Sequence, residues 1–136
     1  MEKILLVDDE PDIEFLVKQK FRKQLSTGVF TLLFAQNGED ALDLLKQDDH
    51  IAVVISDINM PGIDGLTLLQ RVKAFNPAIM TIVISAYGDV KTFRAAMNVG
   101  VFDFIVKPID FNDLGDTMNR ALTHYRSPTL PLPFVH

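Results

Sequence analysis

No cysteine occurs in this 136-residue sequence, which excludes a disulfide framework, a thiolate metal site and a cysteine nucleophile. Basic residues are in deficit, with 13 Lys and Arg against 18 Asp and Glu, a formal charge of −5. That balance argues against unaided binding to nucleic acid or to an anionic membrane surface. Long apolar runs are missing too, and none approaches the roughly 18 residues of a membrane-spanning helix. The opening Met1-Glu2-Lys3 leads into a few apolar residues and then meets Asp8-Asp9, too short and too acidic a pattern for a signal peptide. A soluble chain of the cytoplasm is the expectation. What is present is globular: 48% apolar and 23% charged residues, in a length that suits one domain with a real core.

Short apolar runs alternate with segments of helical period. Ile4–Val7, Ala52–Ile55 and Ile82–Ile84 are unbroken, as expected of central parallel strands covered on both faces. Val29–Ala35 and Val101–Val106 are interrupted by Thr31 and Asp103, which suits sheet edges. Pro11 is placed to open a first helix whose apolar stripe is Ile13, Leu16, Val17, Phe21 and Leu25. Asn37 is a cap for the second helix, which buries Ala41, Leu42 and Leu45. Asp64 caps the third, with Leu66, Leu69 and Val72 inward. The fourth runs from about Asp89 to Asn98 and stops at Gly100. In the last, Asp110 and Asp113 stand at the start, and Leu114, Met118, Ala121, Leu122 and Tyr125 line one face. Five strand–helix repeats predict an α/β fold, a parallel sheet with right-handed crossovers and helices on both faces. From Ser127 to His136 three prolines deny the chain helix and central strand alike, so residues 1–126 form the expected domain and 127–136 a Pro-rich linker or tail.

Ligands of an open α/β sheet bind beyond the carboxyl ends of its strands. Asp8, Asp9 and Glu10 follow the first strand. Ser56, Asp57, Ile58 and Asn59 follow the third, Ser85 to Gly88 the fourth, and Lys107-Pro108 the fifth. Any one of these reads as a cap or a solvated loop. Together, three carboxylates, a hydroxyl and an ammonium face one end of one sheet. At about 5 Å and an effective dielectric near 20, each carboxylate pair costs on the order of 3 kcal/mol. Such a pocket requires either a cation or a protonated member. With no His or Cys nearby the donors are hard oxygens, which suits Mg²⁺ best. A divalent ion between carboxylates and a phosphoryl group is the usual apparatus of phosphoryl transfer. Lys107 adds a second positive charge, Ser85 a donor, and Ala86 an open approach.

The stretches Leu5-Leu6-Val7-Asp8-Asp9-Glu10-Pro11, Asp57-Ile58-Asn59-Met60-Pro61-Gly62-Ile63-Asp64-Gly65, Ser85-Ala86 and Val106-Lys107-Pro108 closely resemble the motifs of response-regulator receiver domains of two-component signalling. They stand in that family's order and span residues 1 to about 125. The resemblance implies a flavodoxin-like doubly wound (βα)5 fold with strand order 2-1-3-4-5. It implies that Asp57 accepts phosphate from a phosphohistidine of a sensor histidine kinase or phosphotransfer protein. Asp9, Asp57 and the Asn59 carbonyl would hold Mg²⁺, with Asp8 acting through water. Lys107 would pair with the phosphoryl group, Ser85 would bond it and move inward, and Phe104 would follow as the rotating aromatic. A cis Lys107–Pro108 bond is implied as well. The family's signal leaves through the fourth helix, fifth strand and fifth helix, toward an output domain, a partner protein or a phosphorylation-dependent homodimer. A signalling domain rather than a turnover enzyme is the expectation. Position 85 is Ser where Thr is also frequent, and position 104 is Phe where Tyr is common. The connection around Ser26-Thr27-Gly28 is a few residues longer than usual.

A metal-dependent phosphatase with an aspartyl nucleophile would share the carboxylates and the lysine. It would want that nucleophile after the first strand, a second Asp two residues on, and a cap over the substrate, whereas here the first strand ends Asp8-Asp9-Glu10 and no cap insertion exists. A flavin carrier needs a hydroxyl- and Gly-rich phosphate loop where Asp8-Asp9-Glu10 stands. A degenerate receiver, serving only for binding, would lack pocket residues that are all present. His50, His124 and His136 read as surface histidines. Asp40, Asp43, Asp48 and Asp49 read as a solvated acidic face, Lys91 and Arg94 as exposed charge, and the methionines as packing.

Overall fold

A computed structural model of the chain describes residues 2–86 and 88–128. The expected tail, 127–136, falls mostly outside the described residues. The elements are β1 (Lys3–Val7), α1 (Pro11–Lys20), α2 (Arg22–Ser26), β2 (Leu32–Ala35), α3 (Gly38–Gln47), β3 (Ile51–Asp57), α4 (Gly65–Phe75), β4 (Met80–Ser85), α5 (Val90–Val99), β5 (Asp103–Val106) and α6 (Phe111–Arg126). The strands form one parallel sheet in the order β2-β1-β3-β4-β5, as the resemblance implies. No helix among the described residues is long and apolar enough to cross a membrane.

The unbroken apolar strands are covered on both sides because alternate residues serve two cores. Ile4, Leu6, Val53, Ile55, Ile82 and Ile84 pack beneath α1 and α6, against Val17, Leu114 and Met118. Leu5, Val7, Val54 and Val83 pack on the other face, against Ala41, Leu45, Leu69, Val72 and Ala96 of α3, α4 and α5. All seven residues of β3 are buried, which makes it the middle of the sheet. The expected caps, Asn37 and Asp64, hold, and Asp89 and Asp110 cap α5 and α6 in the same way: each accepts a hydrogen bond from a backbone N–H of the first turn. Gly100 ends α5 at φ +87°, where a side chain would be strained.

Four expectations are corrected. The first helix does not run unbroken to Leu25. Phe21 leaves helical geometry at φ −105°, ψ 19°, its ring meeting Phe30 edge-on at 5.6 Å and Phe111 at 6.4 Å. The short α2 follows, so the longer connection is partly helical, and Gly28 at φ +79° turns the chain. Leu16 is exposed. At about 100° per residue it trails Ile13 by about 60°, while Val17, Phe21 and Leu25 lead it. In α4 Leu68 is buried with Leu69 and Val72, and Leu66 is only half-buried. Both edge strands start late. The Val29 and Phe30 N–H groups go to the Gln24 carbonyl, and that of Val101 to Ala96, so each segment is still closing its helix where a strand was expected.

Candidate functional site

Register brings the chemistry together. Val7 pairs with Ser56, Ser56 with Val83, and Ser85 with Val106, so four strands end level at one rim. Asp57 and Ser85 are the last residues of β3 and β4, within the strands rather than after them. Asp8 and Asp9 follow β1, and Lys107 follows β5 across the strand end, its N–H donating to the Ser85 carbonyl at 2.8 Å. The Lys107–Pro108 bond is cis. Beneath Asp57 the chain is crowded. The Ile58 N–H donates to the Ile84 carbonyl and the Gly65 N–H to the Ile58 carbonyl. A Cβ at Gly65 would collide with the Asp57 carbonyl, so only glycine lets α4 begin this close to the site.

Asp8, Asp9 and Asp57 each place a carboxylate oxygen within 4.8 Å of the others. Asp8 and Asp57 are buried and Asp9 is exposed. Among the described residues the Lys107 ammonium alone pairs with the group. It donates to Asp57 Oδ2 at 2.9 Å and lies 3.4 Å from Asp8 Oδ2 and 3.6 Å from Glu10 Oε1. Asp57 Oδ1 accepts from the Asn59 N–H at 3.2 Å, and Asp8 Oδ1 from the Glu10 N–H at 2.9 Å. Asp8 Oδ2, though paired in charge with Lys107, makes no hydrogen bond among the described residues. Burial pushes the Asp8 carboxyl pKa up, with the charges of Asp57 and Glu10 adding to it. The Glu10 N–H and Lys107 only partly offset this rise. Burial works against the Lys107 charge, yet the bond to Asp57 and the fields of Asp8, Asp57 and Glu10 outweigh it and raise the lysine pKa.

A buried oxygen without a donor, in a cluster of hard oxygens short of positive charge, fits a small divalent cation. Ser85 is fully buried at the same rim, two residues beyond Val83, which packs on the face of the sheet that α4 and α5 cover. Phe104 of β5 lies half-buried with its ring 5.6 Å from that of Phe93 in α5. Sequence reasoning left two residues out. Glu10 reaches Lys107, and its adjacency to the acidic pair was the available signal. Gly65 sits in a quoted motif, but the carbonyl it accommodates is visible only in three dimensions. His124 is not a surface residue as expected. It is buried, 5.6 Å from the Phe102 ring. Asp48, read as solvated, forms a 2.7 Å ion pair with Lys3.

Comparison with known proteins agrees with this fold. A family model described as a response regulator receiver domain matches residues 4–119. The transcriptional regulatory protein ZraR of Escherichia coli (strain K12) is 33% identical over 106 residues, 78% of this chain and 24% of ZraR. The chain spans about a quarter of the length of the curated relatives it matches. The signal receiver domain of an HD domain-containing protein from Pseudomonas fluorescens Pf-5 superposes with a TM-score of 0.82 at 33% identity, covering 93% of this chain and 98% of that one. The response regulator protein TrrA from Thermotoga maritima, in complex with Mg²⁺ and BeF, gives a TM-score of 0.75 at 28% identity, over 89% and 99%. With the family model covering residues 4–119 and these relatives beside it, this chain belongs to the response-regulator receiver domains.

Proposed function

We propose that the chain is a Mg²⁺-dependent phosphoacceptor, in which Asp57 takes a phosphoryl group from the phosphohistidine of a sensor histidine kinase or phosphotransfer protein. The observation that carries this is the Lys107 ammonium 2.9 Å from Asp57 Oδ2, beside two further carboxylates within 4.8 Å. Asp57 is buried at the strand end, with one oxygen held by the Asn59 N–H and the other by Lys107. It is therefore oriented before any donor arrives, and positioning supplies much of the catalysis of phosphoryl transfer. One Asp57 oxygen attacks phosphorus, the phosphorus–nitrogen bond of the donor breaks, and the imidazole leaves with the bonding pair. Lys107 then turns from the carboxylate to a phosphoryl oxygen. Asp9, Asp57, the Asn59 carbonyl and, through water, Asp8 would hold Mg²⁺. The ion would supply charge neutralisation between the carboxylates and the phosphoryl oxygens.

The same reading makes Ser85 and Phe104 the switch. A hydroxyl buried at the end of β4 donates to a phosphoryl oxygen only by moving toward Asp57, and Phe104 follows inward, away from Phe93. Phe has no hydroxyl to leave unpaired, so the inward position carries no polar penalty. The surface that changes is α5, β5 and α6, facing an output domain, a partner or a second copy. The chain signals in the cytoplasm and does not turn over a substrate. Acetyl phosphate with Mg²⁺ should add one labile phosphoryl group, detected by intact mass. Asp57→Asn should abolish it, and full labelling of that variant would refute the assignment. Ser85→Ala should still be labelled yet lose the long-range amide shifts of residues 89–122 that beryllofluoride induces in the wild type.

A further inference from the structure

We infer that Glu10 is a positioning residue of the phosphoacceptor site, which holds Lys107 at the rim and screens small phosphodonors by charge. The inference rests on the phosphoacceptor reading above. Glu10 is the third carboxylate on one ammonium, its Oε1 3.6 Å from Lys107 Nζ, and its side chain is 61% exposed where those of Asp8 and Asp57 are buried. Its backbone is fixed. The Glu10 N–H donates to Asp8 Oδ1, its carbonyl accepts from Ile13 as α1 begins, and Pro11 follows directly. The carboxylate is thereby anchored at the mouth of the site, on the solvent side of Lys107.

Two consequences follow from that placement. Lys107 must give up an ion pair with Glu10 to close on an incoming phosphoryl oxygen. A small anionic donor also meets one negative charge more than the buried pair alone would present. Charge acting at the mouth changes the rate of encounter and its dependence on salt, while leaving the buried geometry alone. For acetyl phosphate, an Asp57 oxygen attacks phosphorus and acetate leaves with the electrons of the broken phosphorus–oxygen bond. For phosphoramidate, the phosphorus–nitrogen bond breaks and the nitrogen leaves as ammonia. Phosphoramidate carries about one net negative charge fewer at neutral pH, so Glu10 should hinder it less.

The test compares wild type, Glu10→Gln and Glu10→Asp with Mg²⁺ present, measuring the second-order labelling rate of Asp57 with both donors at low and high salt. Glu10→Gln should speed acetyl phosphate by about threefold to tenfold, the size expected for one unit charge about 7 Å away in a water-like dielectric. It should speed phosphoramidate less, and flatten the rise of the acetyl phosphate rate with salt. Glu10→Asp, which keeps the charge, should stay close to wild type. Equal rates and equal salt slopes in wild type and Glu10→Gln would overturn the inference. So would a Glu10→Asp variant as fast as Glu10→Gln, since loss of packing would then be the cause. If the wild type itself takes no phosphoryl group from either donor, it is the phosphoacceptor reading that fails, and the inference falls with it.

Discussion

The two ends of the sheet treat charge in opposite ways. At the end where the strands begin, two carboxylates each have a cation of their own. Asp48 pairs with Lys3 at 2.7 Å, and Glu2 with Arg126 at 2.6 Å. At the end where they finish, Asp8, Glu10 and Asp57 share the single ammonium of Lys107, and Asp9 stands in the same cluster. The first arrangement ties β1 to the β3 entrance and to the last turn of α6, and asks nothing of a ligand. The second is incomplete by itself, which is what a site for a cation and a phosphoryl group requires. One sheet thus carries a closed end and an open end, and the difference can be broken experimentally from either side.

The largest effect is expected from Lys107→Met. Without the ammonium, two buried carboxylates lose the one cation that pairs with them among the described residues, and a loss of about 3 kcal/mol is expected in metal-free urea denaturation. A loss no greater than that of Arg126→Met would show that the open end is not held by its lysine. Magnesium should act next. At about tenfold over its dissociation constant it should stabilise the wild type by about 1.4 kcal/mol, a rise of about 5 °C in Tm. An unchanged Tm at millimolar metal would argue against a shared site.

Asp8→Asn should come third, and it separates the two ends by sign. Asp8 is buried with one oxygen lacking a hydrogen bond, while Lys107 keeps its 2.9 Å bond to Asp57 in the variant. A neutral amide should therefore raise metal-free stability by about 1 kcal/mol and shrink the response to magnesium. Burial, more than the neighbouring carboxylates, raises the Asp8 pKa above its ordinary 3.8. The folded chain then holds that proton more tightly than the unfolded chain. Its contribution is full below the ordinary value and is lost as pH climbs through the raised one. At the closed end the Lys3 bond lowers the Asp48 pKa, and the Arg126 bond that of Glu2. Their contributions are present above the ordinary carboxylate values and are lost as pH falls through the lowered ones. Metal-free wild type minus Asp8→Asn, followed from pH 3 to about pH 7, should isolate the first trend. A flat difference would contradict it.

The open end was far more legible in the sequence than the closed one. Asp57, Ser85 and Lys107 each stand at, or one residue past, the point where an apolar run stops. Since strand ends are where an α/β sheet binds its ligands, the runs located the site. The doubly wound architecture followed from the same alternation, although the strand order needed the family resemblance. What stayed hidden is non-local or steric. Lys3 and Asp48 are 45 residues apart, and no periodicity joins them. His124 has an unremarkable place in α6 and is buried beside the Phe102 ring, which lies on another segment. At the break the Phe21 ring meets Phe30 and Phe111, the first in the connection before β2 and the second in α6. Glu10 lay in plain view beside Asp9, but its distance to Lys107 depends on where β5 ends.

The smallest effects belong to the closed end, and their smallness is the prediction. Arg126 and Lys3 each have a single carboxylate partner there, and the Arg126 side chain is 55% exposed. Solvent screens such pairs, and holding two long side chains in one geometry costs entropy that offsets most of the attraction. Arg126→Met should therefore shift Tm by no more than about 2 °C at neutral pH. Lys3→Met should do slightly more, because its pair is less exposed. Salt should shrink both shifts, whereas the larger loss in Lys107→Met, between buried groups, should persist at high ionic strength. Neither closed-end variant touches the rim, so the magnesium response and Asp57 labelling should match wild type in both. A closed-end variant that altered magnesium affinity would mean that the two ends are coupled through β1, whose residues run directly from Lys3 to the Asp8 turn.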